Sequence, residues 1–562
     1  MHEQKSLSDM TITRRNLMLP AAAAVFAQTG EPSWLRQVIG RHDSYVERLL
    51  KQQITDPRNR WRGIFPDEYG LYFPGTAAGI IDAFSAAYLH PRSKFHKNAE
   101  LPRRIKLAAD LLAREQTSDG NWDLPITNFN SPPDTGFIVR ALCPPAVLLK
   151  RARETEILGW LEPLLRGAGG GMVKGGVHTP NHRWVICAAL SQLHELFGEP
   201  AYLKRIDQWL AEGIDIDPDG QFSERSTYVY NPVTDNALTT MAAKLNRPYL
   251  LEPVRDNLES MLYLLHAGYE VVTEISRRQD VNQRGDMGPY WFSLAYVARR
   301  HKSRDGRFET LADHFAPTRA SLSALMEYPE LVSPGPPHLP VPDDYRKSFP
   351  HNQLFHIRRG RMSASILAGG RNRFFTFRNG DAVVNAVRFA SAFFGKGQFS
   401  APVVEEAGNA FRIKQSLEAP YYQPLDPAER VNPDQWGTTR LKRRQSGICH
   451  LTQSVVISEH EKGFRVRIQS QGTKDVPLAV EINFREGGRL EGVVPAHKVT
   501  DGWILDSGHG IYRAGSNAIR FGPGVRAHAY TQVRGADPKL PGPSVYLTGN
   551  TPFDHTIEFE CL

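Results

Sequence analysis

Lys174-Gly-Gly-Val-His-Thr-Pro-Asn-His-Arg-Trp184 and Asp217-Pro-Asp-Gly-Gln-Phe-Ser-Glu-Arg-Ser-Thr-Tyr-Val-Tyr-Asn231 are two polar stretches, each followed by apolar residues at helical spacing. In the first stretch, Thr179 suits an N-cap and Pro180 suits the first helical position. In the second, Asp219-Gly220 is typical of a turn, an extended segment is predicted after it, and Asn231-Pro232 begins a helix. We therefore expect two helices that start among polar side chains.

The polar side chains at these two helix starts are candidates for a functional site. Asn181 and His182 fall in a first helical turn, where unpaired backbone N–H groups and the helix dipole favour an anion. A single polar residue there is more often a cap or a satisfied surface group. Several of them at two adjacent helix starts favour a site, and the candidates are Asn181, His182, Glu224, Arg225, Tyr228 and Tyr230.

Working outward, the pattern is helical from about residue 34 to 328. Helices are predicted at 34–53, 75–90, 99–115, 135–150, 153–166, 181–197, 200–213, 231–246, 249–267, 290–301 and 307–328. Many helices joined by short loops favour a solenoid or a closed ring of helix pairs over a bundle, although no fixed-period repeat is visible. The run Gly167–Gly176 lacks a phosphate-loop ending and is predicted to be a flexible loop.

A Pro-rich segment at 329–350 is predicted to be a stiff linker. After it come β-rich runs separated by turn residues, at 362–367, 374–377, 454–458, 464–468, 478–483 and 544–548. Strands without helices between them indicate an antiparallel sandwich. The predicted class is α+β multidomain, with a signal peptide at 1–27, a helical domain at 28–328, the linker, and a β-sandwich at 351–562.

Thr13-Arg-Arg-Asn-Leu-Met-Leu19, followed by an Ala-rich apolar run ending at Ala27, is typical of a twin-arginine export signal. We therefore expect a periplasmic or secreted protein. No later apolar run is long enough for a membrane span. The cysteines, at positions 143, 187, 449 and 561, lack metal or disulfide spacing and are expected to be small buried hydrophobic residues.

The formal net charge of +8 falls to +7 once residues 1–27 are removed. A moderate basic excess suits an acidic polymer as partner, although a solvated basic surface is the commoner cause. The sequence contains no nucleic-acid-binding motif that we can identify. No cofactor or metal site is predicted, because a helix start separates His178 from His182 and His194 lies apart from both.

Asp217-Pro-Asp-Gly-Gln-Phe222, with the aromatic segment and helix that follow, resembles polysaccharide lyases that join an incomplete (α/α) toroid to antiparallel β-sheets. These include hyaluronate, chondroitin and xanthan lyases, and heparinase II/III-like proteins are similar. The resemblance implies an uronate-binding site to which Asn181, Tyr230 and Arg277 or Arg278 contribute. The sequence differs from the hyaluronate, chondroitin and xanthan lyases at one place, because Glu224-Arg225 stands where those enzymes carry Gln-His. His182 is then a candidate replacement for the missing His.

Elimination of the 4-linked group of a uronic acid needs removal of the C5 proton, which is weakly acidic until the neighbouring carboxylate is neutralised. Asn181 with Arg225 or Arg278 is predicted to stabilise the developing charge. A phenol ionises near pH 10, and nearby cations favour its ionised form, so Tyr230 could be both base and acid. Alternatively, His182 is the base and Tyr230 the acid.

The remaining substrate-binding candidates are Trp122 as a stacking platform, Asn128 and Asn130 as hydroxyl ligands, and His178, Tyr228, Arg277 and Arg278. For Trp122, a packing role is an equal alternative. Two other functions stay open. A hydrolase would pair Glu224 with a second carboxylate from Asp123, Asp134, Asp235, Glu274 or Asp280, although Glu224 also suits a salt bridge with Arg225 or Arg278. A glycan-binding protein without catalysis is the third hypothesis.

Overall fold

Helices and strands occupy different halves of the chain, as predicted. The computed structural model describes residues 31–429 and 433–562, so the predicted signal at 1–27 lies outside the described residues. The helices of the first half are α1 (Leu35–Gln52), α2 (Pro74–Leu89), α3 (Glu100–Glu115), α4 (Pro132–Ala152), α5 (Thr155–Lys174), α6 (Pro180–Phe197), α7 (Pro200–Leu210), α8 (Tyr230–Leu245), α9 (Leu251–Leu262), α10 (Trp291–Arg300), α11 (Gly306–Arg319) and α12 (Leu322–Glu327).

These helices form a toroid with an inner and an outer ring. Inner helices α2, α4, α6, α8 and α10 pack against one another in that order, whereas α1 and α3 contribute amphipathic outer faces. The predicted helix at 307–328 is two helices, α11 and α12, and Ser321 caps the second by accepting a hydrogen bond from the Ala324 N–H. Because the inner helices α4 and α6 lie side by side in parallel, with Gly136 against Val185, their first turns meet at one end of the ring.

The prediction of a flexible loop at Gly167–Gly176 is wrong for most of its length. Helix α5 continues to Lys174, and its glycines permit close approach by neighbours. A Cβ at Gly171 would lie 2.7 Å from the Asp119 carbonyl oxygen, and one at Gly169 would lie 2.3 Å from the Tyr202 hydroxyl. These glycines therefore serve tertiary packing, a role that local sequence pattern does not show.

The strands build two sheets that pack face to face, after a small hairpin of β1 (Trp122–Leu124) and β2 (Asn128–Ser131) within the toroid. They are β3 (Asp344–Phe349), β4 (Leu354–Arg359), β5 (Met362–Leu367), β6 (Phe375–Asn379), β7 (Ala382–Ser391), β8 (Val404–Ala407), β9 (Ala410–Tyr422), β10 (Gln445–His460), β11 (Gly463–Gly472), β12 (Pro477–Phe484), β13 (Arg489–Glu491), β14 (Val494–Pro495), β15 (Gly502–Ile504), β16 (Gly510–Ala514), β17 (Asn517–Gly522), β18 (Ser544–Asn550) and β19 (Phe553–Cys561). A short helix, α13 (Trp436–Thr439), precedes β10.

Strand order is β13-β16-β17-β19-β11-β10-β9-β8 in one sheet and β14-β15-β18-β12-β7-β6-β5-β4-β3 in the other. Pairing is antiparallel throughout these two sheets except between β15 and β18. Phe375 of the nine-stranded sheet packs against Phe464 and Phe559 of the other, at ring-centroid distances of 5.6 and 5.5 Å. The predicted antiparallel sandwich is confirmed.

The Pro-rich segment is shorter as a linker than predicted. Pro329–Val332 forms a 3-10 turn that packs on the toroid, and β3 begins at Asp344 as the edge strand of the nine-stranded sheet. Within 329–350, only the residues between Val332 and Asp344 therefore connect the two halves. A strand at the edge tolerates the neighbouring prolines because one of its sides needs no backbone donor.

Buried charges join the toroid to the sandwich. Glu270 of the toroid accepts hydrogen bonds from Arg378 at 2.5 Å and from Arg485, both of the sandwich. Glu274 accepts from Arg378 at 3.2 Å and lies 3.3 Å from the His266 ring. These ion pairs fix the loop after α9 against the nine-stranded sheet, and this loop carries Arg277 and Arg278.

All four cysteines are free. Cys143 and Cys187 are buried as expected, whereas Cys449 and Cys561 are partly exposed, which corrects the expectation for those two.

Among the described residues, no helix has the length and apolar character needed to cross a bilayer.

Candidate active site

The two polar stretches meet at one end of the toroid, where α6 and α8 begin. Asn181 is in the first turn of α6, and Glu224 lies in the loop before α8. One carboxylate oxygen of Glu224 accepts a hydrogen bond from the Asn181 backbone N–H at 3.2 Å and another from the Asn181 side-chain amide. The unpaired N–H groups of a helix start thus bind an anion, as predicted, but the anion is the protein's own carboxylate.

Glu224 in turn holds Arg278 near Tyr230. The second oxygen of Glu224 lies 3.7 Å from a guanidinium nitrogen of Arg278. The Arg278 guanidinium lies over the Tyr230 ring, 5.1 Å from its centroid, and the Gln279 side-chain amide donates a hydrogen bond to the Tyr230 hydroxyl at 2.7 Å. We call Asn181, His182, Glu224, Arg278 and Tyr230 the Tyr230 site.

Gln279 was missed by sequence reasoning, although it follows the Arg277-Arg278 pair directly. The Tyr230 hydroxyl is both donor and acceptor, so with Gln279 as its donor the hydroxyl hydrogen is directed elsewhere. Tyr230 is partly exposed and sits at the first position of α8, with its backbone N–H bonded to Ser226 at 3.1 Å. This contact fixes the backbone that carries the phenol.

The predicted role of Asn181 as a direct donor to substrate does not fit this geometry. Its side chain is 2% exposed, and its amide nitrogen donates to Glu224 and, at 3.4 Å, to Thr179. Asn181 is therefore a positioning residue for Glu224. The positive charge closest to Tyr230 comes from Arg278.

His182 lies next to Asn181 on α6 and is mostly buried. Its ring packs edge-to-face with the rings of His178 and Phe137, at ring-centroid distances of 4.7 and 6.2 Å. Burial lowers the pKa of His182 to about 4; the charges of His178 and Arg278 add to this effect, and Asp134 opposes it. At neutral pH the ring is therefore uncharged, and its Nδ1 has no hydrogen-bond partner in the described residues. His178 is exposed beside it.

The segment before α8 is a series of turns, which corrects the extended segment predicted there. Tyr228 therefore does not alternate with Tyr230 on one face. Its ring packs so closely on Gly285 that a Cβ there would lie 2.2 Å from a ring carbon, and its backbone N–H donates to Asp280 at 3.1 Å. Tyr228 is thus a packing residue, and its predicted contact with substrate is not supported.

Arg225 and Arg277 lie together where the toroid meets the sandwich. Arg225 has a positive φ of 47° and donates a hydrogen bond to the His351 carbonyl at 3.3 Å, and its own carbonyl accepts the Arg277 backbone N–H at 2.8 Å. Burial, and then the charge of Arg225, lowers the pKa of Arg277. These two cations continue the positive charge of Arg278 toward the sandwich.

Trp122 is a core residue, so of its two predicted roles the packing role holds and the stacking role does not. Its ring is fully buried, and the indole N–H donates to the Leu112 carbonyl at 2.9 Å. Exposed rings lie nearby instead: Phe129 on β2 is 70% exposed and Phe137 at the start of α4 is 38% exposed. The ring of Phe137 contacts His182. Phe129 and Phe137 are therefore the candidates for sugar stacking.

Asn128 and Asn130 hold the β1–β2 hairpin, which removes most of their capacity as hydroxyl ligands. The Asn128 amide donates to Asp134 at 2.9 Å, and the Asn130 amide donates to Asp119 at 2.7 Å. The side-chain oxygen of Asn130 accepts a hydrogen bond from the Thr117 hydroxyl at 2.8 Å. Their role is structural in this arrangement.

The second carboxylate that a hydrolase needs is not free beside Glu224. Asp235 is completely buried, which raises its pKa well above the ordinary value and keeps its carboxyl group out of reach of a substrate. Glu274 is bound to Arg378 and His266. The remaining three accept hydrogen bonds from their own loops: Asp123 from the Asn130 backbone, Asp134 from Asn128 and Ser131, and Asp280 from Tyr228 and Ser276.

One group of possible metal ligands occurs in the described part of the chain, away from these residues. Atoms of Glu309, Asp313 and His338 lie within 4.8 Å of one another. Arg299 already donates to Glu309 at 2.5 Å, and the Trp34 indole donates to Asp313 at 3.0 Å. The other oxygen of Glu309 is buried and has no hydrogen-bond partner among the described residues.

Comparisons with known proteins agree with this architecture. No protein-family model matches the chain, and no curated protein matches its sequence. Among solved structures, the chain is similar to the chondroitin AC lyase of Streptomyces coelicolor A3 in complex with chondroitin sulphate, with a TM-score of 0.55 and 14% identity over 94% of this chain and 79% of that chain. It is also similar to a Paenibacillus xanthan lyase, with a TM-score of 0.54 and 13% identity over 94% of this chain and 57% of that one. The chain therefore has the toroid-plus-sandwich fold of these polysaccharide lyases.

Proposed function

We propose that the protein is a lyase that cleaves a uronic-acid-containing polysaccharide by β-elimination. The observation that carries this proposal is the phenol of Tyr230 between the Gln279 amide and the Arg278 guanidinium, which Glu224 holds in place. A proton-transfer group next to a fixed cation is what elimination beside a carboxylate requires. The shared fold with a chondroitin AC lyase and a xanthan lyase supports the same reaction class.

The steps follow from the chemistry of the substrate. Arg278 pairs with the uronate carboxylate and stabilises the negative charge that develops there when C5 loses its proton. The Tyr230 hydroxyl first gives its proton to solvent; the resulting phenolate accepts the C5 proton, the C–H electrons form the C4–C5 double bond, and the C4–O bond breaks. The Tyr230 phenol then gives its proton to the leaving oxygen, so atoms and charges balance.

His182 takes a supporting part in this proposal. With its pKa near 4, the imidazole stays neutral over the pH range in which most enzymes work and contributes a hydrogen-bonding group without charge. Such a low pKa makes it a weak base, so the proton transfers are assigned to Tyr230 alone.

The hydrolase alternative is disfavoured because Glu224 is paired and its possible partners are bound or buried. Incubation of the purified protein with a panel of uronate polysaccharides separates the functions. Elimination produces a conjugated C4–C5 double bond with ultraviolet absorbance, which we expect with at least one polymer. New reducing ends without that absorbance would support hydrolysis, and unchanged polymer that still binds would support a glycan-binding protein.

We also propose export through the twin-arginine pathway, supported by Arg14-Arg15 and the apolar run that follows. A polymer substrate too large to enter a cell agrees with this location. N-terminal sequencing of the exported protein should begin near Gln28, and retention of Met1 or His2 would contradict the proposal.

A further inference from the structure

A cavity of about 460 Å³ lies between the toroid and the nine-stranded sheet. The toroid contributes Arg277 and Asn282, and the sandwich contributes Arg371, Arg373 and Gln398. The Tyr230 site uses none of these side chains. The cavity is polar on both sides, and its size suits part of a sugar residue.

Two of the three arginines have no direct partner within the described structure. Among residues 31–429 and 433–562, no group accepts a hydrogen bond from the side chain of Arg277 or Arg373 or forms an ion pair with it. Arg371 donates only to neutral carbonyl groups, to Ile275 at 3.0 Å and to Asn352 at 3.3 Å. Burial and the charges of Arg277 and Arg225 lower the pKa of Arg371 to about 10, which reflects uncompensated positive charge.

The acidic groups around the cavity do not neutralise these cations. Glu274 is bound to Arg378 and His266. Asp537 accepts a hydrogen bond from the Asn372 side chain and lowers the net charge near Arg373 only in part. The cavity therefore keeps a net positive charge, which low-dielectric walls make stronger than on an open surface.

One loop links the cavity to the Tyr230 site. Arg277 lines the cavity, whereas the next residues, Arg278 and Gln279, contact Tyr230. For a polymer with one uronate at Tyr230, we therefore assign a neighbouring sugar to the cavity.

We propose that this cavity is a subsite for a second anionic group of the substrate, a sulfate ester or a carboxylate on a sugar residue next to the one that reacts. This inference rests on the proposed function for the polymer's identity as an acidic polysaccharide. Free guanidinium groups of Arg277 and Arg373 bind the anion by bidentate hydrogen bonds, and Asn282 supplies a neutral donor. The subsite selects polymers that carry a charge on adjacent sugars.

Equilibrium binding tests the subsite without relying on catalysis. Arg277→Gln and Arg373→Gln, singly and together, are made in a Tyr230→Phe background so that the chains are not cleaved. The probes are chondroitin sulfate and chemically desulfated chondroitin of matched length. The control is Arg412→Gln, which removes an exposed arginine of the eight-stranded sheet that does not line the cavity.

We expect the double variant to bind chondroitin sulfate about ten- to a hundred-fold more weakly, with a smaller salt dependence, as lost charge-assisted hydrogen bonds predict. Arg412→Gln should bind as the parent does. Weaker binding of the sulfated chains alone identifies sulfate as the ligand, and equal weakening for both polymers identifies the carboxylate. The proposal would be overturned if Arg277→Gln, Arg373→Gln and the double variant all bound both polymers as the parent does. Arg277 is exposed, so its single variant keeps the test valid if Arg373→Gln misfolds.

The proposed function can fail separately. If no polymer gives an unsaturated product but binding still depends on Arg277 and Arg373, the subsite stands and the lyase assignment does not. If product forms and binding is insensitive to both arginines, the subsite is wrong and the lyase assignment stands.

Discussion

The Glu224 carboxylate lies 3.7 Å from the Arg278 guanidinium and accepts two hydrogen bonds from Asn181, so one buried acid connects the start of α6 to the cation over Tyr230. In a lyase this acid positions a cation and takes no proton. In a hydrolase it would be the catalytic acid or nucleophile.

Glu224→Gln separates these roles. The amide keeps an oxygen for Asn181 but loses the charge that attracts Arg278, which is partly exposed, so we expect kcat to fall only about five- to ten-fold. The product should still carry the unsaturated sugar. Complete loss of turnover with normal thermal stability would favour the hydrolase, because amide replacement abolishes carboxylate proton transfer.

Phe129 and Trp122 should respond to substitution in opposite ways. Phe129→Ala removes an exposed ring and should raise KM about three- to ten-fold without lowering the melting temperature, if the ring stacks on sugar. Trp122→Phe leaves a void and the Leu112 carbonyl unpaired, and should lower stability by about 2 kcal/mol with KM unchanged in the folded fraction. Steady-state kinetics with thermal unfolding measures both. A Phe129→Ala enzyme with unchanged KM would remove this ring from the substrate path.

Glycines 170 and 171 are neighbours on α5 with different surroundings. Gly171→Ala places a Cβ 2.7 Å from the Asp119 carbonyl oxygen and should destabilise the protein by about 1–3 kcal/mol. Gly170→Ala meets nothing within 4 Å and should stabilise it by up to about 1 kcal/mol through helix propensity. Chemical denaturation of both variants checks this. Equal effects at the two positions would show that the close packing on α5 is absent.

Acid should loosen the contact between the toroid and the sandwich. Burial alone raises the pKa of Glu270, but Arg378 and Arg485 outweigh burial and hold the pKa at about 2. Because this is below the value in the unfolded chain, about 4.5, the contribution to stability is complete above about pH 5. It is lost as the pH falls from about 4.5 toward 2.

Glu270→Gln should therefore lower the free energy of unfolding at pH 7 by about 3 kcal/mol and flatten its decline below pH 5. Glu405→Gln, which alters an exposed acid on β8, should leave the profile unchanged. Unfolding measured from pH 3 to 7 provides the comparison. A Glu270→Gln profile parallel to the wild type would show that this ion pair does not titrate with folding.

Local signals predicted much of this architecture. Pro180 after Thr179 located the start of α6, and the alternation in Phe464-Arg-Val-Arg-Ile468 located β11. Periodicity and caps are properties of neighbouring residues, so the sequence displays them directly. The salt bridge predicted between Glu224 and either Arg225 or Arg278 forms with Arg278.

Other features depend on distant parts of the chain. The glycines of α5 appeared to be a loop because the Asp119 backbone that they face lies elsewhere in the sequence. The sequence leaves stacking and packing open for Trp122, because nothing local shows that the Leu112 carbonyl accepts its N–H. The cavity lined by Arg277 and Arg373 exists only once the sandwich folds against the toroid.

The most direct test of elimination at Tyr230 is the rate of unsaturated product formed by Tyr230→Phe, with Tyr228→Phe as the matched control. Tyr230→Phe keeps the ring under Arg278 but removes the hydroxyl that exchanges protons, so we predict a fall in kcat of about two to four orders of magnitude. KM and the melting temperature should change little, and Tyr228→Phe should turn over at a rate close to that of the wild type. A Tyr230→Phe enzyme that forms the unsaturated product at nearly the wild-type rate would contradict the mechanism.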